Sequence, residues 1–159
     1  MNKIITLEEI TQLSSSLKKN KKSIVLVGGC FDIVHIGHIE FLMKAKKFGN
    51  ILCVLLEHDK KVRLLKGGNR PFNNQKERAQ FLSAISFIDY IIPLPFLKSD
   101  SDYDQLIFSL KPDVIAVTTD DPFLEKKKEQ ANHIGGKIKK IPLIKTRSTS
   151  KIANLLGID

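Results

Sequence analysis

Short apolar runs alternate along the chain with longer stretches in which apolar residues return every three or four positions. The runs at 24–27, 51–56, 90–92 and 114–117, with a further segment at 138–141, read as strands, and Ile24 to Val27, four consecutive apolar residues of which three are β-branched, suits a strand buried on both faces of a parallel sheet. Between them the spacing changes to that of a helix. Leu7, Ile10, Leu13 and Leu17 mark a helix over 7–18, and Thr6 with Glu9 three residues later forms a capping box at its start. Ile39, Leu42 and Ala45 mark a second helix over 38–48, stopped by Gly49 and Asn50. A third covers 73–86 with Asn73 as its cap, and further helices are expected over 103–110, 122–133 and 148–156. Strands alternating with helices predict an α/β fold, a Rossmann-like parallel sheet of about five strands with helices on both faces and no internal repeat. By size the 159 residues form a single domain, with residues 1–22 as an N-terminal helix and turn. In such a sheet, ligands bind beyond the carboxyl ends of the strands where strand order reverses.

The first strand delivers its chemistry to that edge. The sequence from 24 to 38 reads Ile-Val-Leu-Val-Gly-Gly-Cys-Phe-Asp-Ile-Val-His-Ile-Gly-His. Gly28 and Gly29 end the apolar run and let both a sharp turn and a ligand come close to the main chain. From about Gly37 the chain turns helical, so His35 and His38 sit where strand gives way to helix. A helix N-terminus presents unpaired N–H groups and partial positive charge, and two imidazole donors beside it suit the oxygens of a polyphosphate. Half of a metal site is the competing reading. Zinc needs three or four ligands, however, and His58, His133, Cys30, Cys53 and the carboxylates stand at no ligand-like spacing, so no metal ligands are assigned.

Composition adds limits. Hydrophobic residues at 42% and charged residues at 27% are ordinary for a globular protein, and no apolar stretch approaches a membrane span. The first residues show no apolar segment leading to a small-residue cleavage site, which gives a cytoplasmic expectation. Cys30 and Cys53 read as small core residues rather than a disulfide framework. The net charge of +9 comes from lysines in short scattered runs with no interleaved aromatics, which argues against nucleic acid and for an on-rate advantage with small anionic substrates.

Two further segments reach toward the same edge. Ser148, Thr149 and Ser150 precede the last helix, where their hydroxyls could hold phosphate oxygens or simply cap the helix. Lys66-Gly67-Gly68-Asn69-Arg70-Pro71, followed by Glu77-Arg78, reads as a loop whose Lys66, Arg70 and Arg78 are either solvated or an anion clamp.

Gly29, Phe31, Asp32, His35, Gly37 and His38 together resemble the Gly-x-Phe-Asp-x-x-His-x-Gly-His signature of the nucleotidyltransferase superfamily, the enzymes related to cytidylyltransferases and class I aminoacyl-tRNA synthetases. The segment Ser148-Thr149-Ser150-Lys151-Ile152 is similar in place and order to the superfamily's Ser/Thr-rich triphosphate motif, with Thr146 where glycine is usual. Lys66-Gly-x-x-Arg-Pro, then Glu77-Arg78, then Asp89 before a strand, resembles more narrowly the adenylyltransferase domain that makes ADP-heptose in lipopolysaccharide precursor synthesis. That likeness covers nearly the whole chain. It departs at Gly28, where that domain commonly has Asn, and at Thr118-Thr119-Asp120-Asp121, which is closer to the corresponding region of glycerol-3-phosphate cytidylyltransferases.

The resemblance implies that an acceptor phosphate attacks the α-phosphorus of a nucleoside triphosphate and that pyrophosphate leaves opposite, with Mg²⁺ accompanying ATP. It implies catalytic roles for His35, His38 and Lys66. Nucleotide-binding roles fall to Gly28, Gly29, Cys30, Phe31, Asp32, Gly37, Arg78, Asp120, Ser148, Thr149 and Ser150. For Asp32 two roles stay open, orienting acceptor or Mg²⁺ and pinning the loop through backbone N–H groups. Transfer of AMP to a sugar phosphate such as heptose 1-phosphate leads. Behind it stand nucleotidyl transfer to another small phosphate, such as glycerol 3-phosphate or FMN, and a non-catalytic nucleotide-binding protein. A homodimer is implied by the family, with no nucleic-acid or membrane partner.

Overall fold

Strand β1 (Ile24–Gly29) lies at the centre of a five-stranded sheet whose order is β3-β2-β1-β4-β5, every neighbour parallel. The computed structural model describes residues 2–143 and 149–157. The other strands are β2 (Ile51–Leu56), β3 (Tyr90–Pro93), β4 (Val114–Thr118) and β5 (Lys137–Ile141). Seven helices are described: α1 (Ile10–Lys19), α2 (Ile36–Lys46), α3 (Asp59–Lys66), α4 (Gln75–Ser83), α5 (Asp100–Leu110), α6 (Leu124–His133) and α7 (Thr149–Leu156).

The two-residue period of the strands sorts the core into two halves. Ile24, Leu26, Cys53, Leu55, Ile115 and Val117 point to one face and pack with Ile10 and Leu17 of α1, Leu106 and Leu110 of α5, and Ala131 of α6. Val25, Val27, Leu52, Val54 and Ala116 point to the other and pack with Leu42 and Ala45 of α2 and Ala79 and Leu82 of α4. Helices therefore cover both faces of an α/β sheet, as the alternation of runs implies. At this density each large aliphatic side chain of the core contributes roughly 1.5–3 kcal/mol.

Several boundaries move, each for a local reason. Helix α1 starts at Ile10 rather than Leu7; the Thr6 N–H still donates to Glu9 Oε2 at 2.7 Å, so one half of the capping box forms ahead of a short turn. The cap of α4 is Asn74 and not Asn73: Asn74 Oδ1 accepts from Glu77 N at 3.0 Å while Glu77 Oε2 accepts from Asn74 N at 2.9 Å. Asn73 is used elsewhere. Helix α5 opens earlier, at Asp100, on a reciprocal pair between Ser99 and Asp102. Ahead of α1, Ile4 bridges Ile91, so the N-terminal segment also runs parallel beside β3.

Helix α3 lies where the spacing predicts none. Of its eight residues only Val62 is buried, with Leu64 and Leu65 left exposed, and its N-cap is His58, whose Nδ1 accepts from Lys60 N at 3.1 Å. Lys66 thus closes a helix, and the loop begins at Gly67 with φ at 110°, a backbone conformation that favours glycine.

Candidate active site

Beyond the carboxyl end of β1 the chain turns tightly. Gly29 has no room for a side chain, since a Cβ there would come within 2.9 Å of the Phe31 ring. Phe31 takes a positive φ of 46° and is driven into the core, 4% exposed, with its ring centre 5.4 Å from that of His38. The strain of that conformation is offset by the buried ring.

Helix α2 begins with two histidines that cap it. His35 is the N-cap residue, and its Nδ1 accepts from Gly37 N at 3.1 Å; His38 Nδ1 accepts from His35 N at 3.3 Å. A ring nitrogen that accepts carries no proton, so each neutral imidazole bears its proton on Nε2. The ring centres are 4.0 Å apart. Burial lowers the pKa of His35, and burial, then the charges of His35 and Lys66, hold His38 down to about 4. Both rings are neutral donors at neutral pH.

They line a cleft of about 360 Å³ together with Gly28, Gly29, Cys30, Phe31 and Gly37. Phe41, Leu143 and the end of β4, namely Ala116, Val117, Thr118 and then Asp121, complete the wall. The cleft lies where strand order reverses, between β1 and β4. Lys66 is exposed at the end of α3, and its charge is close enough to act on both His38 and the Cys30 thiol. Burial, the largest influence, pushes that thiol up, so Cys30 is a neutral wall residue.

Asp32 is 5% exposed, with both carboxylate oxygens engaged. Oδ2 accepts from Arg70 Nε at 2.7 Å; Oδ1 accepts from Phe72 N at 2.8 Å and Asn73 N at 3.2 Å. Of the two roles left open by the sequence, the geometry has the one in which it pins the loop. Arg78, expected at a phosphate, is 1% exposed and is corrected to a structural tie. Its guanidinium donates to Asn73 O at 3.1 Å, to Cys30 O, to Glu57 O at 2.8 Å and to Asp59 Oδ1 at 2.7 Å. Asp32 and Arg78 border a separate hollow with Asn73, Glu77 and Phe81. A buried guanidinium is kept only when its protons are used in this way.

Asp120 is exposed and does not line the cleft; its neighbour Asp121 does, accepting from Phe123 N at 2.8 Å and from Lys127 Nζ at 2.7 Å. Ser148 lies outside the described residues, while Thr149 and Ser150 open α7. Among the described residues, no group of three His, Cys, Asp or Glu side chains could hold a metal ion, and no helix is long and apolar enough to cross a membrane.

Sequence reasoning missed Glu57 and Tyr103. Glu57 follows the last residue of β2, its N–H donates to Gly29 O at 3.1 Å, and its carboxylate accepts from the Tyr103 hydroxyl at 3.0 to 3.1 Å. Burial, the largest influence, raises the Glu57 pKa. The available signal was positional: Glu57 is the first polar residue after an unbroken apolar strand, at the edge where parallel sheets bind ligands.

A glycine turn, a pair of neutral imidazole donors at a helix start and a cleft at the strand-order reversal define the nucleotidyltransferase class of α/β domain. The chain belongs to the cytidylyltransferase-like family, whose model matches residues 26–153. It is 38% identical over 152 residues to "Bifunctional protein HldE" of Campylobacter fetus, covering 96% of this chain and 31% of that protein. With the protein of the same name from Campylobacter jejuni serotype O:6 it is 39% identical over 150 residues, covering 94% and 30%. The chain therefore spans about a third of the length of these curated relatives. Among solved structures it is similar to a lipopolysaccharide core biosynthesis protein from Thermoplasma volcanium, with a TM-score of 0.63 and 27% identity over 79% of this chain and 98% of that one. It shares its fold, at 17% identity and a TM-score of 0.64, with pantoate-beta-alanine ligase from Francisella tularensis, over 90% of this chain and 67% of that one.

Proposed function

We propose that this chain transfers AMP from ATP to a sugar phosphate, heptose 1-phosphate first, and releases pyrophosphate. The observation that carries the reading is the reciprocal capping of His35 and His38. With both Nδ1 atoms occupied by backbone N–H groups, the two Nε2–H groups remain as donors on the wall of the cleft. Oxygens of the α- and β-phosphates fit there, beside the start of α2 and the charge of Lys66. An oxygen of the acceptor phosphate attacks the α-phosphorus as the bond to pyrophosphate breaks, so the protein needs no nucleophile. Its contribution is position and stabilisation of the charge that grows on the transferring phosphoryl group.

Mg²⁺ enters in this reading as part of the substrate, bound to the triphosphate. The nearby carboxylates of Asp32 and Asp121 already accept N–H groups of the protein and do not form a cation site of their own. Ser148, Thr149 and Ser150 are assigned to the β/γ oxygens on the resemblance alone. The adenylyl and heptose assignments draw support from the name HldE of the relatives and from the Lys66 to Arg78 pattern. A homodimer in the cytoplasm belongs to the same reading.

Pyrophosphate release, measured with ATP and CTP against heptose 1-phosphate, glycerol 3-phosphate and FMN, tests it. ATP with heptose 1-phosphate is expected to give the highest kcat/KM. His38→Ala is expected to lower turnover by about 10²–10³, the scale of a lost oxyanion donor. Near-normal release by that variant would overturn the mechanism; cytidylyl transfer to glycerol 3-phosphate would overturn the substrate.

A further inference from the structure

Glu57 is a half-buried carboxylate with far more acceptor capacity than the protein uses. Its two oxygens offer about four lone-pair positions. Among the described residues they meet one hydroxyl proton, that of Tyr103, and no ion pair within 4 Å. Lys61, Lys127 and Arg78 act on it at longer range. The Lys61 ammonium sits 5.6 Å above the Tyr103 ring. A carboxylate withdrawn from water and left partly unfilled costs stability unless a ligand completes it.

Its position says which ligand. Glu57 adjoins the cleft wall through the main chain: its N–H donates to the carbonyl of Gly29 at 3.1 Å, and the Arg78 guanidinium that donates to its own carbonyl at 2.8 Å also donates to that of Cys30, Gly29 and Cys30 both being wall residues. It stands at the end of β2, on one flank of β1, while the cleft residues Ala116 to Asp121 stand on the other flank, at β4. Displacement at phosphorus requires attacking and leaving oxygens in line on opposite sides. A triphosphate held on the histidines and along the β4 wall of the cleft leaves the β2 side for the acceptor.

The geometry points to Glu57, held by the Tyr103 hydroxyl, as the group that receives the hydroxyls of the phosphorylated acceptor. The assignment rests on the nucleotidyl-transfer reading above and specifies a polyhydroxylated acceptor. A carboxylate takes two neighbouring hydroxyls as a bidentate acceptor, and the surrounding lysines tolerate the phosphate attached to the same molecule. Tyr103 is a positioning residue, since its hydroxyl fixes the carboxylate. The acceptor oxygen transferred to phosphorus comes from the acceptor's phosphate, so Glu57 takes no part in bond making.

Steady-state pyrophosphate release on the full chain tests the proposal, with ATP and each of heptose 1-phosphate, glycerol 3-phosphate and FMN. Glu57→Gln is expected to raise the KM of the preferred acceptor about ten- to a hundredfold, the factor of one hydrogen bond to a charged group, while the KM for ATP stays within about twofold. Tyr103→Phe is expected to raise acceptor KM by a smaller factor in the same direction, and it serves as the readout should Glu57→Gln fail to fold. An acceptor analogue lacking one ring hydroxyl should lose affinity in the wild type and lose little more in Glu57→Gln. Equal rises in both KM values, or no change in either variant, would overturn the assignment while leaving nucleotidyl transfer intact. Absence of turnover by the wild type with all acceptors would overturn the functional reading and this one together.

Discussion

His35 and His38 hold each other: the backbone N–H of His35 donates to the ring of His38, and the ring of His35 accepts from Gly37 one residue before His38. Two of the side chains that line the cleft are thus also the two that cap the start of helix α2.

This mutual dependence should appear as non-additivity. With His35→Asn, His38→Asn and the double variant, the losses in kcat/KM should sum to more than the double variant loses, by a coupling of roughly 0.5–3 kcal/mol. Additive losses, measured by pyrophosphate release, would mean that the rings act independently.

Stability should fall in mild acid. His38 is held down to about 4 against an ordinary 6.5, so between those values the unfolded chain binds a proton that the folded protein refuses. The contribution is fully present above 6.5 and lost as pH falls toward 4; His35, lowered by burial, acts in the same direction. Denaturant melts across this range should show a loss of about 3 kcal/mol that His38→Asn largely removes.

Arg78→Met should damage the fold rather than the affinity for nucleotide. The side chain has no exposed surface, and its removal leaves Asp59, Asn73, Cys30 and Glu57 short of a donor. A cost of about 3–5 kcal/mol is expected, read as a fall in Tm. A variant that melts like the wild type while KM for ATP rises would return Arg78 to the phosphates.

Lys66→Ala should do the reverse. The side chain is exposed, so stability should change by less than about 0.5 kcal/mol, while turnover falls because the charge near His38 is gone. Thermal melting and pyrophosphate release on the same preparation separate the two effects.

What could be read from the chain alone was whatever depends on neighbours in sequence. The apolar runs gave β2 residue by residue and the first four residues of β1, which continues through Gly28 and Gly29, and the spacing from Gly29 to His38 located the turn that carries the histidines. Helix α3 was hidden because its eight residues are short for a periodic signal, five of them charged, and because His58 is an unusual cap. Arg78 and Asp32 were misread or left open for a different reason. Their charge is plain in the sequence, but their partners are not: Arg78 reaches Cys30 across 48 positions, and Asp32 meets Arg70 across 38. A charged residue near a glycine turn looks the same whether it awaits a ligand or is already satisfied. Glu57 was overlooked in the opposite sense, since its partner Tyr103 lies on helix α5, 46 positions away.

The placement of β1 in the middle of the sheet has an evolutionary consequence. From that strand the chain first builds β2 and β3 to one side and then crosses over through α5 to lay down β4 and β5 on the other. In the proposed reaction, donor recognition and recipient recognition thus fall to separate wings joined at a shared spine. Either wing can be rewritten by mutation while the chemistry at the spine stays as it is.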